Sequence, residues 1–251
     1  MHLLEIDGLS KEFDGLKALD RVSFACEQGE ILGVIGPNGA GKTTLFNMIT
    51  GIYPPSGGEI RFEGRSIPGL KTHQISRVGI GRTFQIVRPF QNMDVLHNVL
   101  VALGHKYYPS LRGCIRRFED QRITAEAEAI LERSGLLPYR ATEARNLPLG
   151  FKKRLEIARA LAINPKLLLL DEPSAGLRFE ESSQLMVLIR SLREQGIGIL
   201  LIEHNMQVIM DLCRRIVVLD HGTKIAEGSP EEIRADPVVI EAYLGRETDD
   251  A

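Results

Sequence analysis

The stretch GPNGAGKTT, residues 36–44, follows the apolar run ILGVI at 31–35 and precedes a second apolar run, LFNMITGI, at 45–52. A glycine-rich turn between a strand and a helix leaves backbone N–H groups unpaired and pointing at one spot. The positive end of the helix dipole points the same way, so the spot suits phosphate. Gly36, Gly41, Lys42 and Thr43 satisfy the G-x-x-x-x-G-K-[ST] spacing of a P-loop. In that arrangement the backbone of Gly36, Pro37, Asn38, Gly39, Ala40, Gly41, Lys42, Thr43 and Thr44 surrounds the phosphates. The lysine reaches the β- and γ-phosphates, and the Thr43 hydroxyl is placed for Mg²⁺.

What the loop lacks is supplied further along. KLLLLDEP, residues 166–173, is a continuous apolar run ending in two acids, the pattern of a parallel strand buried on both faces. Asp171 at its carboxyl end is expected to bind Mg²⁺, and Glu172 to polarise a water toward a γ-phosphate. A second buried strand, IGILLIEH at 197–204, delivers His204 to the edge where parallel sheets bind ligands. There it would hydrogen-bond a γ-phosphate oxygen and hold the attacking water. Gln85, in GRTFQ, reads by itself as a polar loop residue.

Outward from these runs, the first part of the chain alternates short β-like segments with turns. GGEIRFEG at 57–64 predicts an exposed antiparallel strand, with Ile60 and Phe62 alternating with polar neighbours. From about 93 to 163 the pattern turns helical, as in ITAEAEAILERSG, where Ile123, Ala127, Ile130 and Leu131 share a face. After 166 it alternates strand and helix, then gives a hairpin in RIVVLDHGTKIAEG. A last helix is opened by SPEE at 229–232, with Ser as N-cap and Glu at N3. The sum is a parallel α/β core interrupted by a helical insertion, with an antiparallel sheet built mostly from the N-terminal part.

Composition narrows the classes. The 251 residues are 43% hydrophobic and 25% charged, an ordinary globular balance. A net charge of −2 offers no basic field for nucleic acid. The basic stretch KKR at 152–154 reads as a solvated helix face, or as one that meets an acidic surface. Cys26, Cys114 and Cys213 match neither a disulfide framework nor a metal spacing, which suits a reducing compartment. MHLLEIDGLSK lacks a secretory signal layout, and no apolar run reaches membrane-spanning length. The expectation is a soluble chain that could dock on a membrane protein.

Taken together, these residues resemble the nucleotide-binding subunit of ABC transporters, over about residues 3–245. The resemblance implies a single ABC ATPase domain over 1–251. Its RecA-like core and antiparallel β-subdomain would occupy about 1–92 and 164–251, and its helical subdomain about 93–163. It makes GPNGAGKTT the Walker A loop, LLLLDE the Walker B strand, and His204 the H-loop histidine. Gln85 becomes the Q-loop glutamine, which contacts Mg²⁺ and senses the membrane subunit. Phe13 takes the place of the aromatic that stacks on adenine; packing in a small core near a turn explains it equally well. The implied cofactors are ATP and Mg²⁺. The implied partners are a second ATPase subunit, transmembrane permease subunits and, indirectly, a solute-binding protein, at the cytoplasmic face of the membrane.

Two motifs depart from the family pattern. Where the signature reads L-S-G-G-Q, this chain has LPLGF at 147–151: Leu147 and Gly150 match, while Pro148, Leu149 and Phe151 do not. The serine hydroxyl that would reach a partner's γ-phosphate is missing, leaving the Gly150 amide and the dipole of a helix expected to start near 151. The D-loop SAGLR carries Arg178 where an acid or amide is usual. GIGRTFQIVRPFQNMDVLHNVLVAL, the helical segment 105–122 and the ending DPVVIEAYLG resemble the larger ATPase subunit of branched-chain amino-acid uptake systems. Uptake of urea, amides or aromatic acids, or export, are the alternatives within the family. A small-molecule P-loop kinase and a nucleotide-dependent switch are those outside it. The Glu172–His204 pair, and the absence of an obvious second-substrate pocket, count against the kinase.

Overall fold

The computed structural model describes residues 2–83, 89–107 and 120–244. In chain order the elements are β1 (Leu4–Phe13), β2 (Leu16–Cys26), β3 (Ile31–Ile35), α1 (Lys42–Ile49), β4 (Gly57–Phe62), β5 (Arg65–Ser66) and α2 (Thr72–Val78). Next come β6 (Ile80–Arg82), α3 (Val95–Tyr107), α4 (Gln121–Arg133), α5 (Leu149–Leu161), β7 (Leu167–Asp171) and α6 (Phe179–Glu194). The chain continues with β8 (Gly198–Ile202), α7 (Met206–Leu212), β9 (Arg215–Asp220), β10 (Thr223–Gly228), α8 (Pro230–Ala235) and α9 (Pro237–Leu244).

Two sheets form. One has the order β10-β9-β3-β8-β7-β6, parallel from β9 to β6 with β10 added antiparallel; the other is antiparallel, β2-β1-β4-β5. Every residue of β3, β7 and β8 is buried, which accounts for their unbroken apolar sequences. Successive side chains of a strand point to opposite faces. Accordingly Ile31, Ile35, Leu168, Leu170, Ile199 and Leu201 enter a core shared with helices α3–α7. Leu32, Val34, Leu167, Leu169, Leu200 and Ile202 enter a second core, shared with α1 and the antiparallel sheet. The parallel sheet is thus the partition between two hydrophobic cores.

Several expectations are met with corrected lengths. β1 and β2 are long paired strands with register shifts, where the sequence suggested short isolated runs. β4 is half-buried rather than exposed, as its alternation requires, with Ile60 and Phe62 enclosed. The hairpin at 215–228 forms, and Ser229 caps α8 through a capping box with Glu232. Helix α5 starts at Leu149, with Pro148 as its N-cap, rather than near 151. Proline lacks an N–H and is tolerated at a helix start, so it opens the helix instead of delaying it. Most of the helical segment 105–122 lies outside the described residues, as does Cys114. Cys26 and Cys213 are buried free thiols; burial pushes the Cys213 thiol up to about 12 and raises Cys26 further still.

Candidate functional site

The carboxyl ends of β3, β7 and β8 lie side by side, because these strands are parallel neighbours. Each leads to the same rim: the glycine-rich loop follows β3, Asp171 ends β7 with Glu172 just beyond it, and His204 follows β8. The rim encloses a cleft of about 310 Å³, lined by Ala18, Asn38, Gly39, Ala40, Gly41, Lys42, Thr43, Thr44, Glu172 and His204. A β-carbon on Gly36 would sit 2.0 Å from the Leu219 carbonyl oxygen, and one on Gly41 2.6 Å from that of Ala18. The loop is therefore wedged against β9 at Gly36 and against β2 at Gly41, with no room for a side chain at either position. α1 starts immediately after Gly41, so its unbonded N–H groups face the cleft.

Lys42 is buried and turned back onto its own loop, its Nζ donating to the carbonyls of Gly36 at 2.7 Å and Pro37 at 2.9 Å. The ammonium is thus stored at the loop that would receive phosphate. Across the cleft, Oε1 of Glu172 and Nε2 of His204 are 2.8 Å apart. Glu172 has φ 48°, in the left-handed region, which costs a non-glycine residue about 1–3 kcal/mol and clusters at functional sites.

Behind this pair lies a layer of buried charge that motif reading missed. Arg82, at the end of β6, forms an ion pair with Asp171 at 3.0 Å and also donates to Asn47 and Thr50 of the α1 region. Burial works against the charged form of each partner, raising the Asp171 pKa and lowering that of Arg82, while their attraction opposes both shifts. Glu203, beside His204, accepts the Ser174 N–H at 2.7 Å and ties the β8 end to the loop after β7. Lys153 of α5 donates to the Glu172 carbonyl at 2.9 Å. The KKR stretch is therefore not a uniformly solvated face: Lys153 is buried, and burial lowers its pKa against the pull of Glu203, Glu172 and Asp171. The sequence signal for all three residues was a charge placed against an apolar run.

Among the described residues, no group of three or more His, Cys, Asp or Glu could hold a metal ion. Asp171 and Thr43 are two oxygen-bearing side chains, and Oδ2 of Asp171 already accepts from Arg82 at 3.0 Å. That set suits a hard cation completed by phosphate oxygens and water.

Other expected residues stand apart from this cleft. Phe13 is 38% exposed at the end of β1, with its ring edge-on to Tyr53 at 5.1 Å and the Lys11 ammonium 4.8 Å from its centroid. Phe13 is thus packed on Tyr53 near the turn rather than in either main core, and it is not among the cleft-lining residues; β2 of the same hairpin contributes Ala18 instead. Gly150 lies in the first turn of α5, in a separate groove with Phe151, Arg154, Glu181 and Gln184. Gln85 lies outside the described residues.

A phosphate loop and an acid–histidine pair on one sheet edge, with antiparallel and helical layers attached, define a nucleotide-binding P-loop ATPase of the cassette type. The family model described as ABC transporter matches residues 19–175, and that described as branched-chain amino acid ATP-binding cassette transporter matches 223–249. The chain is 46% identical over 249 residues to the high-affinity branched-chain amino acid transport ATP-binding protein LivG of Salmonella typhimurium, covering 97% of this chain and 98% of that protein. To the corresponding protein BraF of Pseudomonas aeruginosa it is 43% identical over 250 residues, covering 97% and 98%. The crystal structure of the ADP conformation of MJ1267, an ATP-binding cassette of an ABC transporter, superposes with a TM-score of 0.88 at 32% identity, covering 98% of this chain and all of that one. The chain belongs to the ABC transporter family, as an ATP-binding subunit of the LivG-like branched-chain amino acid transport group.

Proposed function

We propose that this subunit hydrolyses ATP at the cleft behind β3 to power uptake of branched-chain amino acids. The observation that carries the reading is the Glu172–His204 pair facing the phosphate loop across one cleft. Glu172 acts as general base toward a water, and His204 holds that carboxylate and the γ-phosphate in one line. The loop amides and Lys42 bind the phosphates, which requires Lys42 to exchange the Gly36 and Pro37 carbonyls for phosphate oxygens. Thr43, Asp171 and Gln85 would hold Mg²⁺, which when bound neutralises charge on the β- and γ-phosphates. Phe13 would stack on the base from the hairpin tip.

The working assembly is a pair of ATPase subunits on two membrane-embedded permease subunits, at the cytoplasmic face, fed by a solute-binding protein. Among the described residues no helix is long and apolar enough to cross a membrane, which agrees with a docked subunit. Residues 93–163 act as the helical subdomain that meets the other subunits, and residues 1–92 and 164–251 carry the nucleotide. The LPLGF signature favours a heterodimer, because each site of a homodimer would be closed by a segment without the serine hydroxyl. Nucleic acid has no place in this assembly.

The test is ATP-driven uptake by the transporter reconstituted in proteoliposomes. Leucine, isoleucine and valine should be accumulated, and Glu172→Gln should stop accumulation while ATP still binds. Transport of urea, amides or aromatic acids with no uptake of leucine would overturn the solute, and outward transport would overturn the direction.

A further inference from the structure

Lys153 lies one turn past the start of α5 and is only 6% exposed. A buried ammonium is costly unless it is hydrogen-bonded and surrounded by opposite charge. Both conditions hold here: Nζ donates to the Glu172 carbonyl at 2.9 Å, and Glu203, Glu172, Asp171 and Glu156 all attract it. The peptide units flanking Glu172 are thereby held on both sides. Its N–H donates to the Ile202 carbonyl at 2.9 Å, and its carbonyl accepts from Lys153. The same carbonyl also accepts the Ala175 N–H at 3.2 Å, so Lys153 is the one side chain in a three-bond clamp that keeps the left-handed backbone in place, and the carboxylate meets His204 at 2.8 Å. Among the described residues, α5 is also the helix whose first turn carries Gly150.

We propose that Lys153 is a positioning residue for hydrolysis, holding the Glu172 peptide so that the carboxylate faces the cleft. It thereby makes the aim of that carboxylate depend on where α5 sits. A shift of α5 away from β7 removes the Lys153 bond and leaves the Glu172 peptide to the Ile202 and Ala175 bonds alone, so the helix proposed to close a partner's site also bears on this chain's own. The inference rests on Glu172 as the general base.

The experiment compares K153M, K153R, E172Q and the double variant E172Q/K153M in the assembled transporter, reading kcat and KM for ATP, with nucleotide affinity and thermal stability of the purified subunits alongside. K153M should lower kcat by about 10–100-fold, the scale of a misplaced catalytic group, with KM and affinity changed by less than about twofold. K153R keeps a donor and should recover most of that loss. In the E172Q background K153M should cost nothing further, because the group it aims is already disabled. Wild-type kcat in K153M, a loss that K153R fails to repair, or a full additional loss in the double variant would each overturn the proposal. If E172Q itself turns over at the wild-type rate, the base and the proposal fall together. An inactive E172Q beside a normal K153M removes the proposal alone.

Discussion

The cleft behind β3 and the first turn of α5 both expose the N–H groups of a helix start, yet they are built on different terms. At the cleft, the donors come with Lys42, the hydroxyls of Thr43 and Thr44, the Glu172 carboxylate and His204, from three segments of the same chain, with the Asp171–Arg82 pair behind them. At α5, the hydrogen-bond ladder begins with the Lys152 N–H on the Pro148 carbonyl at 3.0 Å, so the N–H groups of Leu149, Gly150 and Phe151 stand ahead of it. Pro148 brings no hydroxyl there, Leu149 is 41% exposed, and a β-carbon on Gly150 would lie 2.9 Å from a Glu181 carboxylate oxygen. The first region is a binding site in one chain. The second, on the proposed reading, is half of one, with its remaining chemistry on another molecule.

The sharpest break of that comparison is Lys42→Ala. Removing the ammonium should abolish productive ATP binding and bring hydrolysis to background, measured as phosphate release at saturating ATP. Because Lys42 also bonds the Gly36 and Pro37 carbonyls, a small loss of thermal stability should accompany it. Near-normal hydrolysis would remove the phosphate loop from the site.

Glu172→Gln should retain ATP binding and slow hydrolysis by about 10²–10⁴-fold, the usual contribution of a general base. An ATP-bound dimer should accumulate, visible by size-exclusion chromatography. A variant that turns over normally would return Glu172 to a structural role.

Neutralising the catalytic glutamate in each ATPase subunit separately addresses the difference directly. This chain's site would be closed by the partner's fuller signature, whereas the partner's site would be closed by Pro148–Phe151. Glu172→Gln should therefore cost the assembled transporter more ATPase activity than the matching change in the partner. The reverse order, or brisk cooperative hydrolysis by this subunit purified alone, would show that the missing hydroxyl has no consequence.

Phe13→Ala should weaken binding of ATP and GTP alike by roughly 1–3 kcal/mol, since stacking reads a ring face rather than a base edge. Titration with a fluorescent nucleotide analogue measures it. Unchanged affinity would assign the ring to its contact with Tyr53 alone. The smallest expected effect is at the other region. Pro148→Ser restores both a hydroxyl and a preferred N-cap, and should stabilise the start of α5 by about 0.5–1 kcal/mol. Homodimer formation with ATP should strengthen in parallel; a stabilised helix with no gain in dimer would uncouple the two.

By itself the sequence determined the phosphate loop, the buried strands and the residues they end on. Each of these is encoded locally: glycine spacing sets the backbone of the turn, and an unbroken apolar run can only be a segment covered on both faces. The capping box at Ser229 and the alternation in β4 were legible for the same reason. What only the tertiary structure decided is where distant charges meet. In the sequence Lys153 is one of three adjacent basic residues, Arg82 a polar residue beside Gln85, and Glu203 an acid next to a histidine. Their roles come from strand order, because β6, β7 and β8 are neighbours and α5 packs over them, so charges far apart in the chain converge behind Asp171 and Glu172. The placement of Phe13 outside the cleft wall belongs to the same class, since it depends on how a hairpin leans and on nothing in its own neighbourhood of the chain. Buried polar groups must find partners wherever the fold brings them, and that demand is not written in the local pattern of any one segment.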